Sequence, residues 1–238
     1  MRRLADTREL LDGPLDDPVA LAANLRDLRR VNRLLGGTRL SRQALVALVG
    51  DRTDPLTVLD VGTGAADIPA ELVTRPSPAG ARLTVTAIDN RPEVLAAAIA
   101  DRADLASLVG LRLGLGDGQA LLDADGSHDV VHASLVLHHL EPDEAIRFLR
   151  EMGRVAALGV IVNDLARSRL AWLGAWLIGH LLTGNRLTRH DAPLSVRRAY
   201  TLREMRELMA EAGLRPIAAF GGLLGHRYAI AAIPESRR

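Results

Sequence analysis

A glycine-containing turn after an apolar stretch, with a carboxylate just before the turn, offers the clearest chemistry in the sequence. Residues 58–67 are Val-Leu-Asp-Val-Gly-Thr-Gly-Ala-Ala-Asp, so Asp60 precedes a Gly-x-Gly turn formed by Gly62 and Gly64. Glycine permits a tight strand-to-helix turn and lets the backbone approach a ligand closely. An anion beside such a turn would repel a phosphate but attract a cation, such as a sulfonium or ammonium group. We therefore predict that Asp60, Gly62 and Gly64 bind a cationic ligand.

Carboxylates recur at the ends of the next two predicted strands. The second strand ends at Asp89 and Asn90, and the third ends in a turn that contains Asp117 and Gly118. An acidic side chain in such a position can accept hydrogen bonds from both hydroxyls of a ribose, and Asp117 could meet an adenine amino group. A single acid of this kind would be explained as a solvated turn residue. Three acids at consecutive strand ends instead indicate a ligand that contains a nucleoside.

Two adjacent histidines follow the fourth predicted strand. His138 and His139 lie in the loop before a helix that starts at Pro142. Histidine can act as a general base near neutral pH without a large pKa shift. Asp164 ends the fifth strand, and its carboxylate could orient the imidazole and stabilise its charged form. Because adjacent side chains project differently, we expect His138 to face a substrate and His139 to be packed and hydrogen-bonded.

The glycine turn and its preceding acid resemble the first motif of class I S-adenosylmethionine-dependent methyltransferases, with Ala66 in place of the usual third glycine. The string Leu-His-His-Leu resembles small-molecule methyltransferases of the quinone and natural-product types, in which one such histidine can act as a base. The resemblance covers roughly residues 55–233. It implies S-adenosylmethionine as the cofactor, with Asp89 at the ribose, Asp117 at the adenine and Ser134 among the cofactor-binding residues.

The resemblance implies methyl transfer to a small apolar or aromatic acceptor, and a phenolic or quinol hydroxyl is the leading acceptor. A ring carbon stays open as the acceptor, because quinone-type enzymes share the Leu-His-His-Leu string. A nicotinamide-dependent oxidoreductase is a second class, but its turn would need glycine where this chain has Asp67. A third class is a non-catalytic S-adenosylmethionine-binding protein, which would lose site residues such as His138.

Residue types that are missing exclude several chemistries. All 30 basic residues of the chain are Arg, so a P-loop lysine and a pyridoxal Schiff base have no candidate. Cys is absent, which excludes disulfides and thiolate metal sites. A net charge of +1 gives no basic field for nucleic acid, and no Asn/Asp-Pro-Pro-Tyr-type sequence follows the fourth strand. We expect no nucleic-acid substrate.

A metal-dependent mechanism is not predicted either. Catechol-type methyltransferases place an Asp after the fourth strand and an Asp-Asn pair after the fifth. This chain has Ala133-Ser134 at the first position and the reversed order Asn163-Asp164 at the second. Adjacent histidines also lack the spacing of a chelating pair on a helix. We therefore expect no metal.

The pattern of apolar runs predicts an α/β fold with a Rossmann-like, mostly parallel sheet of seven strands. The last two strands are separated by about four residues, so they should pair as an antiparallel hairpin. Residues 1–54 are predicted to form an N-terminal helical cap, with a helix that starts at Asp17-Pro18, and residues 55–238 a methyltransferase domain. The strand candidates are 56–61, 83–89, 111–115, 128–134, 158–163, 215–221 and 226–233.

Residues 165–200 form an insertion after the fifth strand, where α/β proteins bind ligands. We predict that this insertion is a lid whose first half is an apolar helix. The predicted substrate-binding residues of the lid are Trp172, Trp176, His190, Arg197 and Tyr200. Two tryptophans in an apolar lid favour an apolar, aromatic or lipid-linked substrate.

The remaining expectations concern the location of the protein. Asp6, Arg8 and Glu9 interrupt the N-terminus before any apolar run forms, so no secretory signal is expected. The most apolar segment, residues 170–182, is shorter than the roughly 20 residues of a membrane span. We expect a cytoplasmic protein with a small-molecule substrate and at most peripheral membrane contact. The sequence leaves the oligomeric state open.

Overall fold

The computed structural model describes residues 1–75 and 79–235, so residues 76–78 and 236–238 of the predicted domain 55–238 lie outside the described residues. Its centre is a seven-stranded sheet in the order β3-β2-β1-β4-β5-β7-β6. The strands are β1 Leu56–Val61, β2 Leu83–Asp89, β3 Leu111–Leu115, β4 His128–Ser134, β5 Ala156–Leu165, β6 Leu214–Gly221 and β7 Arg227–Pro234. Among the strands of these described residues, β7 alone runs antiparallel to its neighbours, β5 and β6. The predicted fold class and the C-terminal hairpin are therefore confirmed.

Helices cover both faces of the sheet. They are α1 Pro18–Leu34, α2 Gly37–Val49, α3 Asp67–Thr74, α4 Pro92–Asp101, α5 Pro142–Val155, α6 Arg169–Leu177, α7 Arg186–Arg198 and α8 Leu202–Glu211. Alternate side chains of each strand enter opposite cores, as the two-residue strand period requires. Val58 packs with α1 to α4, whereas Leu59 and Val61 pack with α5 and α8. Both cores thus fix the strand ends that carry the predicted site residues.

The N-terminal helices pack into the sheet domain. Asp17 caps α1 by accepting hydrogen bonds from the backbone amides of Val19 and Ala20, at 3.0 and 2.9 Å. Helix α2 contributes Leu40 and Ala44 to the same core as Val58. A boundary at residue 54 therefore does not divide two hydrophobic cores, although residues 1–54 do precede the sheet.

The insertion after β5 consists of two helices. Ser168 caps α6 through a hydrogen bond from the backbone amide of Ala171, and a π-helical turn at Ile178–Leu182 follows the helix. The polar second half of the insertion, to which the sequence assigned no element, forms α7 even though Pro193 lies inside it. A prolyl nitrogen donates no hydrogen bond, so α7 lacks one bond of its ladder.

The first thirteen residues, here called the N-terminal segment (residues 1–13), run across the ends of the strands. The guanidinium of Arg3 donates to a carboxylate oxygen of Glu141 at 2.5 Å. The backbone amides of Leu10 and Leu11 donate to the Asp191 carboxylate of α7 at 2.8 and 2.9 Å. These contacts tie the segment both to the sheet domain and to the insertion. Within residues 1–75 and 79–235, no helix has the length and apolar character needed to cross a membrane.

Candidate functional site

A cavity of about 1070 Å³ opens at the carboxyl ends of the parallel strands. Its wall includes the turn after β1, the ends of β2 and β4, the N-terminal segment and the inner side of the insertion. Parallel strands place their carboxyl ends at one edge of the sheet, which is where α/β proteins bind ligands. Single-ligand pockets usually measure about 300–1,000 Å³. The volume of this cavity therefore lies at the upper end of that range.

The glycine turn lies in the cavity wall in a left-handed conformation. Gly62 has a φ of +73° and Gly64 a φ of +54°. A Cβ atom on Gly62 would lie 2.5 Å from Cγ2 of Val136, so this position excludes a side chain on steric grounds as well. Ala66 also has a positive φ, +50°, at the start of α3. The left-handed conformation explains why related motifs favour a third glycine there.

Asp89 fastens the glycine turn to the end of β2. Its carboxylate accepts hydrogen bonds from the backbone amides of Gly64 and Arg91, at 3.0 and 3.1 Å. Burial raises the pKa of Asp89, while these two hydrogen bonds oppose the rise. The carboxylate lies in the cavity wall beside the glycine turn. This position is compatible with the predicted contact between Asp89 and a ribose, and that contact stays a prediction.

The other predicted cofactor residues converge on the same region. Asn90, Asp117, Gly118 and Ser134 all lie in the cavity wall. Asp117 is exposed and accepts a hydrogen bond from the backbone amide of Gln119 at 2.9 Å. Ser134 Oγ accepts one from a guanidinium nitrogen of Arg227 at 2.7 Å. The fold thus brings together residues from the ends of three strands, and their roles in binding stay predictions.

The structure corrects the prediction for Asp60. This side chain is 2% exposed and, as far as the described residues define the cavity, lies outside its wall. Its carboxylate oxygen is 2.5 Å from Nδ1 of His132. The parallel register of β1 and β4 sets these two residues side by side. Asp60 is therefore occupied by a buried partner and not offered to a cationic ligand.

The Asp60–His132 pair begins a buried polar network beneath the cavity. His132 Nε2 is 2.7 Å from Ser41 Oγ, and Ser41 Oγ accepts a hydrogen bond from Asn163 at 2.7 Å. Asn163 in turn accepts one from the guanidinium of Arg227 at 2.5 Å. Burial lowers the pKa of Arg227 to about 10, which still leaves it charged at neutral pH. A connected network of this kind holds α2, β4, β5 and β7 in fixed positions.

His138 faces the cavity with Asp164 behind it, in the predicted arrangement. The Asp164 carboxylate accepts hydrogen bonds from Nδ1 of His138 at 2.6 Å, from its backbone amide at 3.2 Å and from the Leu165 amide at 2.7 Å. Burial favours a higher pKa for Asp164, but the neighbouring His138 and these hydrogen bonds outweigh it and lower the pKa. Because an ionised carboxylate only accepts, Nδ1 carries the proton and Nε2 of the neutral ring has a free lone pair.

His139 also lines the cavity, so both histidines border it, and which of them faces a substrate stays a prediction. Its Nδ1 is 2.8 Å from a carboxylate oxygen of Asp12. Its Nε2 is 3.9 Å from Glu9 Oε2, and Glu9 Oε1 is 3.8 Å from Nε2 of His138. Burial opposes a charge on His139, but Glu9 and Asp12 outweigh burial and raise the pKa of His139 to about 9.

The N-terminal segment supplies site residues that sequence analysis did not identify. Glu9 and Asp12 come from this segment and reach the histidines, which follow β4. Arg198, the last residue of α7, is buried and donates hydrogen bonds to the backbone carbonyls of His138 and His139. It also donates to the carbonyl of Thr7. Nothing in the spacing of these residues indicated that they would meet.

The predicted substrate-binding residues of the insertion are misplaced. Among the described residues, the cavity wall includes none of Trp172, Trp176, His190, Arg197 and Tyr200. Trp176 instead stacks on His180 at a centroid distance of 4.5 Å, and the Tyr200 hydroxyl donates to the Leu140 carbonyl at 2.8 Å. The side of α6 toward the cavity carries Leu170, Ala171, Leu173, Gly174 and Leu177. Helix α6 therefore lines the cavity with aliphatic side chains, whereas α7 adds the polar residues Thr188, Asp191, Ser195 and Arg198.

Comparison with known proteins agrees with this architecture. Residues 58–159 match the family model of a methyltransferase domain. No curated protein sequence matches the chain. A SAM-dependent methyltransferase from Aquifex aeolicus superposes with a TM-score of 0.62 at 20% identity, over 91% of this chain and 97% of the other. At this level of identity the likeness shows a shared fold.

Two further structures show the range of proteins that adopt this fold. An O-methyltransferase from neocarzinostatin biosynthesis, in complex with S-adenosyl-L-homocysteine and 1,4-dihydroxy-2-naphthoic acid, has a TM-score of 0.64 at 20% identity over 92% of this chain and 59% of its own. The cyclase SpnF has a TM-score of 0.59 at 16% identity, over 83% of this chain and 80% of the other. The domain match and the fold support S-adenosylmethionine as the cofactor. The fold alone does not decide the reaction.

Proposed function

We propose that this protein is an S-adenosylmethionine-dependent methyltransferase that acts on a phenolic or quinol hydroxyl of a small apolar or aromatic molecule. The observation that carries the proposal is the His138–Asp164 pair, with a 2.6 Å contact, in the same cavity as the glycine turn. A positioned imidazole beside the cofactor cavity supplies the general base that methylation of a hydroxyl requires.

The reaction follows from this placement. The acceptor oxygen attacks the methyl carbon in line with the sulfonium, a carbon–oxygen bond forms, and the electron pair of the carbon–sulfur bond returns to sulfur. The products are the methyl ether and S-adenosylhomocysteine. Nε2 of His138 accepts the proton of the hydroxyl, and Asp164 stabilises the imidazolium that results. Holding the two reactants in line can lower the barrier by up to roughly 7–11 kcal/mol.

The cavity walls support an apolar acceptor. The insertion contributes Leu170, Leu173, Leu177 and Ile178, and α1 contributes Leu28. Aliphatic walls with a few polar groups bind molecules of low polarity and leave orientation to those polar groups. One structurally similar O-methyltransferase was solved with 1,4-dihydroxy-2-naphthoic acid. Dihydroxynaphthoic acids and related bicyclic phenols are therefore the first acceptors to test.

The experiment is incubation of the purified protein with S-adenosylmethionine and a panel of phenols, naphthols and quinols. Mass spectrometry would detect the gain of one methylene unit, and fragmentation would show whether oxygen or ring carbon carries the methyl group. A methyl ether whose formation is lost in His138→Ala supports the proposal. A ring-methylated product would replace the hydroxyl acceptor with carbon, and binding of S-adenosylmethionine without turnover on any acceptor would contradict methyl transfer.

A further inference from the structure

Three side chains of the cavity have metal-binding atoms close together. Glu9, His138 and His139 each offer one such atom, and these atoms all lie within 4.8 Å of one another. Glu9 Oε1 is 3.8 Å from Nε2 of His138, and Glu9 Oε2 is 3.9 Å from Nε2 of His139. Around a tetrahedral zinc ion with bonds of about 2.0–2.2 Å, ligand atoms are separated by roughly 3.3–3.5 Å. The two carboxylate–imidazole distances exceed this separation by roughly half an ångström, so small side-chain movements would bring Glu9 and each imidazole to bonding distance.

A second observation points to a ligand at this place. Glu9 is 4% exposed, and its Oε1 has no hydrogen-bond partner within residues 1–75 and 79–235. A buried carboxylate oxygen without a partner is costly, so such atoms usually meet a cation or an ordered water. This oxygen lies in the cavity wall beside the Nε2 atom of His138.

One of the two histidines is also oriented as metal ligands usually are. Asp164 is hydrogen-bonded to Nδ1 of His138 at 2.6 Å, whereas Asp12 lies 2.8 Å from Nδ1 of His139 without hydrogen-bond geometry. A carboxylate on one ring nitrogen fixes the ring and makes the other nitrogen a better ligand. Nε2 of His138 is therefore left for an ion, and Nε2 of each histidine lies within 4 Å of a Glu9 carboxylate oxygen. This site is not predictable from local sequence, because Glu9 is far from the histidines along the chain.

We propose that Glu9, His138 and His139 bind a divalent transition-metal ion of the zinc class through one carboxylate oxygen and two imidazole Nε2 atoms. Two nitrogen ligands and one oxygen ligand suit zinc and cobalt better than magnesium or calcium, which prefer oxygen. The fourth position opens to the cavity, since all three residues line it. Glu9 lies in the N-terminal segment, so the ion would fasten this segment over the end of β4.

The ion would also regulate the proposed reaction. A metal on Nε2 of His138 uses the lone pair that would otherwise accept the acceptor's proton. The metal-loaded protein should therefore methylate a hydroxyl acceptor at least tenfold more slowly than the metal-free protein, because a positioned base contributes about 10²–10⁴-fold. This consequence rests on the proposed function, whereas binding of the ion does not.

The test is titration of the chelator-treated protein with Zn²⁺ by calorimetry and with Co²⁺ by visible absorption, which reports tetrahedral coordination. We expect one strong site, weakened at least thirtyfold in Glu9→Gln and in His139→Ala. His128→Ala is the matched control, because His128 pairs with Asp123 at 2.8 Å outside the cavity wall, as far as the described residues define it. Its strong site should be unchanged. Circular dichroism would show that each variant is folded.

The outcomes separate the metal site from the proposed function. No strong site in the folded wild type, or equal affinity in wild type and Glu9→Gln, would overturn the metal proposal, and so would an equal loss in His128→Ala. If the protein transferred methyl groups but bound no Zn²⁺, the proposed function would be supported and the metal site would be contradicted. Strong binding of Zn²⁺, with no methyl transfer by the metal-free or the metal-loaded protein, would support the metal site and contradict the proposed function.

Discussion

Replacement of Asp164 by Asn tests the proposed base directly, because the new side chain keeps its shape but loses its charge. The carboxylate accepts three hydrogen bonds, two from His138 and one from the Leu165 amide. An amide has one oxygen and one NH₂ group, so it cannot accept all three. In either orientation at least one backbone amide loses its acceptor. We expect a loss of about 1–3 kcal/mol in the free energy of unfolding, the usual cost of a buried donor without a partner.

The fall in kcat of Asp164→Asn should be larger than its loss of folding stability alone would cause. If the amide donates to Nδ1 of His138, the ring proton moves to Nε2 and the base has no lone pair to offer. If the ring keeps its tautomer, the imidazolium loses the anion that stabilises it. In both cases kcat should fall by about 10²–10⁴-fold, while the affinity for S-adenosylmethionine changes little.

The assay is steady-state methyl transfer to a reactive phenol, with cofactor binding measured by calorimetry. Asp129→Asn is a matched control, since Asp129 accepts hydrogen bonds from the amide and hydroxyl of Thr57, both at 2.8 Å, near the opposite end of β4. It should keep its kcat and lose less stability, because both bonds are exposed and end on one oxygen, which an amide oxygen can replace. If kcat of Asp164→Asn stayed within twofold of the control, the proposed role of the His138–Asp164 pair would be wrong.

Three further predictions concern the turn, the cofactor and pH. Gly62→Ala should lower the unfolding free energy measured in urea by about 1–3 kcal/mol more than Gly64→Ala, because only the former would place Cβ 2.5 Å from Val136; equal losses would contradict the steric argument. Asp89→Ala should weaken S-adenosylmethionine binding by about 1–3 kcal/mol in calorimetry, and unchanged affinity in the folded variant would remove Asp89 from the site. The pKa of His139 is raised from 6.5 to about 9 in the folded protein, so its stabilising effect is complete below pH 6.5 and is lost toward pH 9. Relative to His139→Gln, the unfolding free energy should fall over this interval by about 3 kcal/mol, and an identical pH dependence of the two proteins would show that the folded protein does not stabilise the charge of His139.

The sequence by itself determined the sheet, because local composition indicates where strands and turns occur. Short apolar runs predicted all seven strands, and the bounds of β1 to β4 agree with the structure to the residue. The position of His138 and Asp164 followed as well, because carboxyl ends of neighbouring parallel strands must meet. The roles of these residues in catalysis stay predictions.

The tertiary structure decided which side chains reach the cavity. The parallel register of β1 and β4 places Asp60 beside His132, and the local sequence does not specify this register. The two tryptophans of α6 share a face at helical spacing, but only packing determines that Leu170 and Leu173 line the cavity instead. Glu9 reaches the histidines through an N-terminal segment held by contacts from distant parts of the chain. Local pattern fixes how a side chain projects from its own element, whereas long-range packing fixes what it faces.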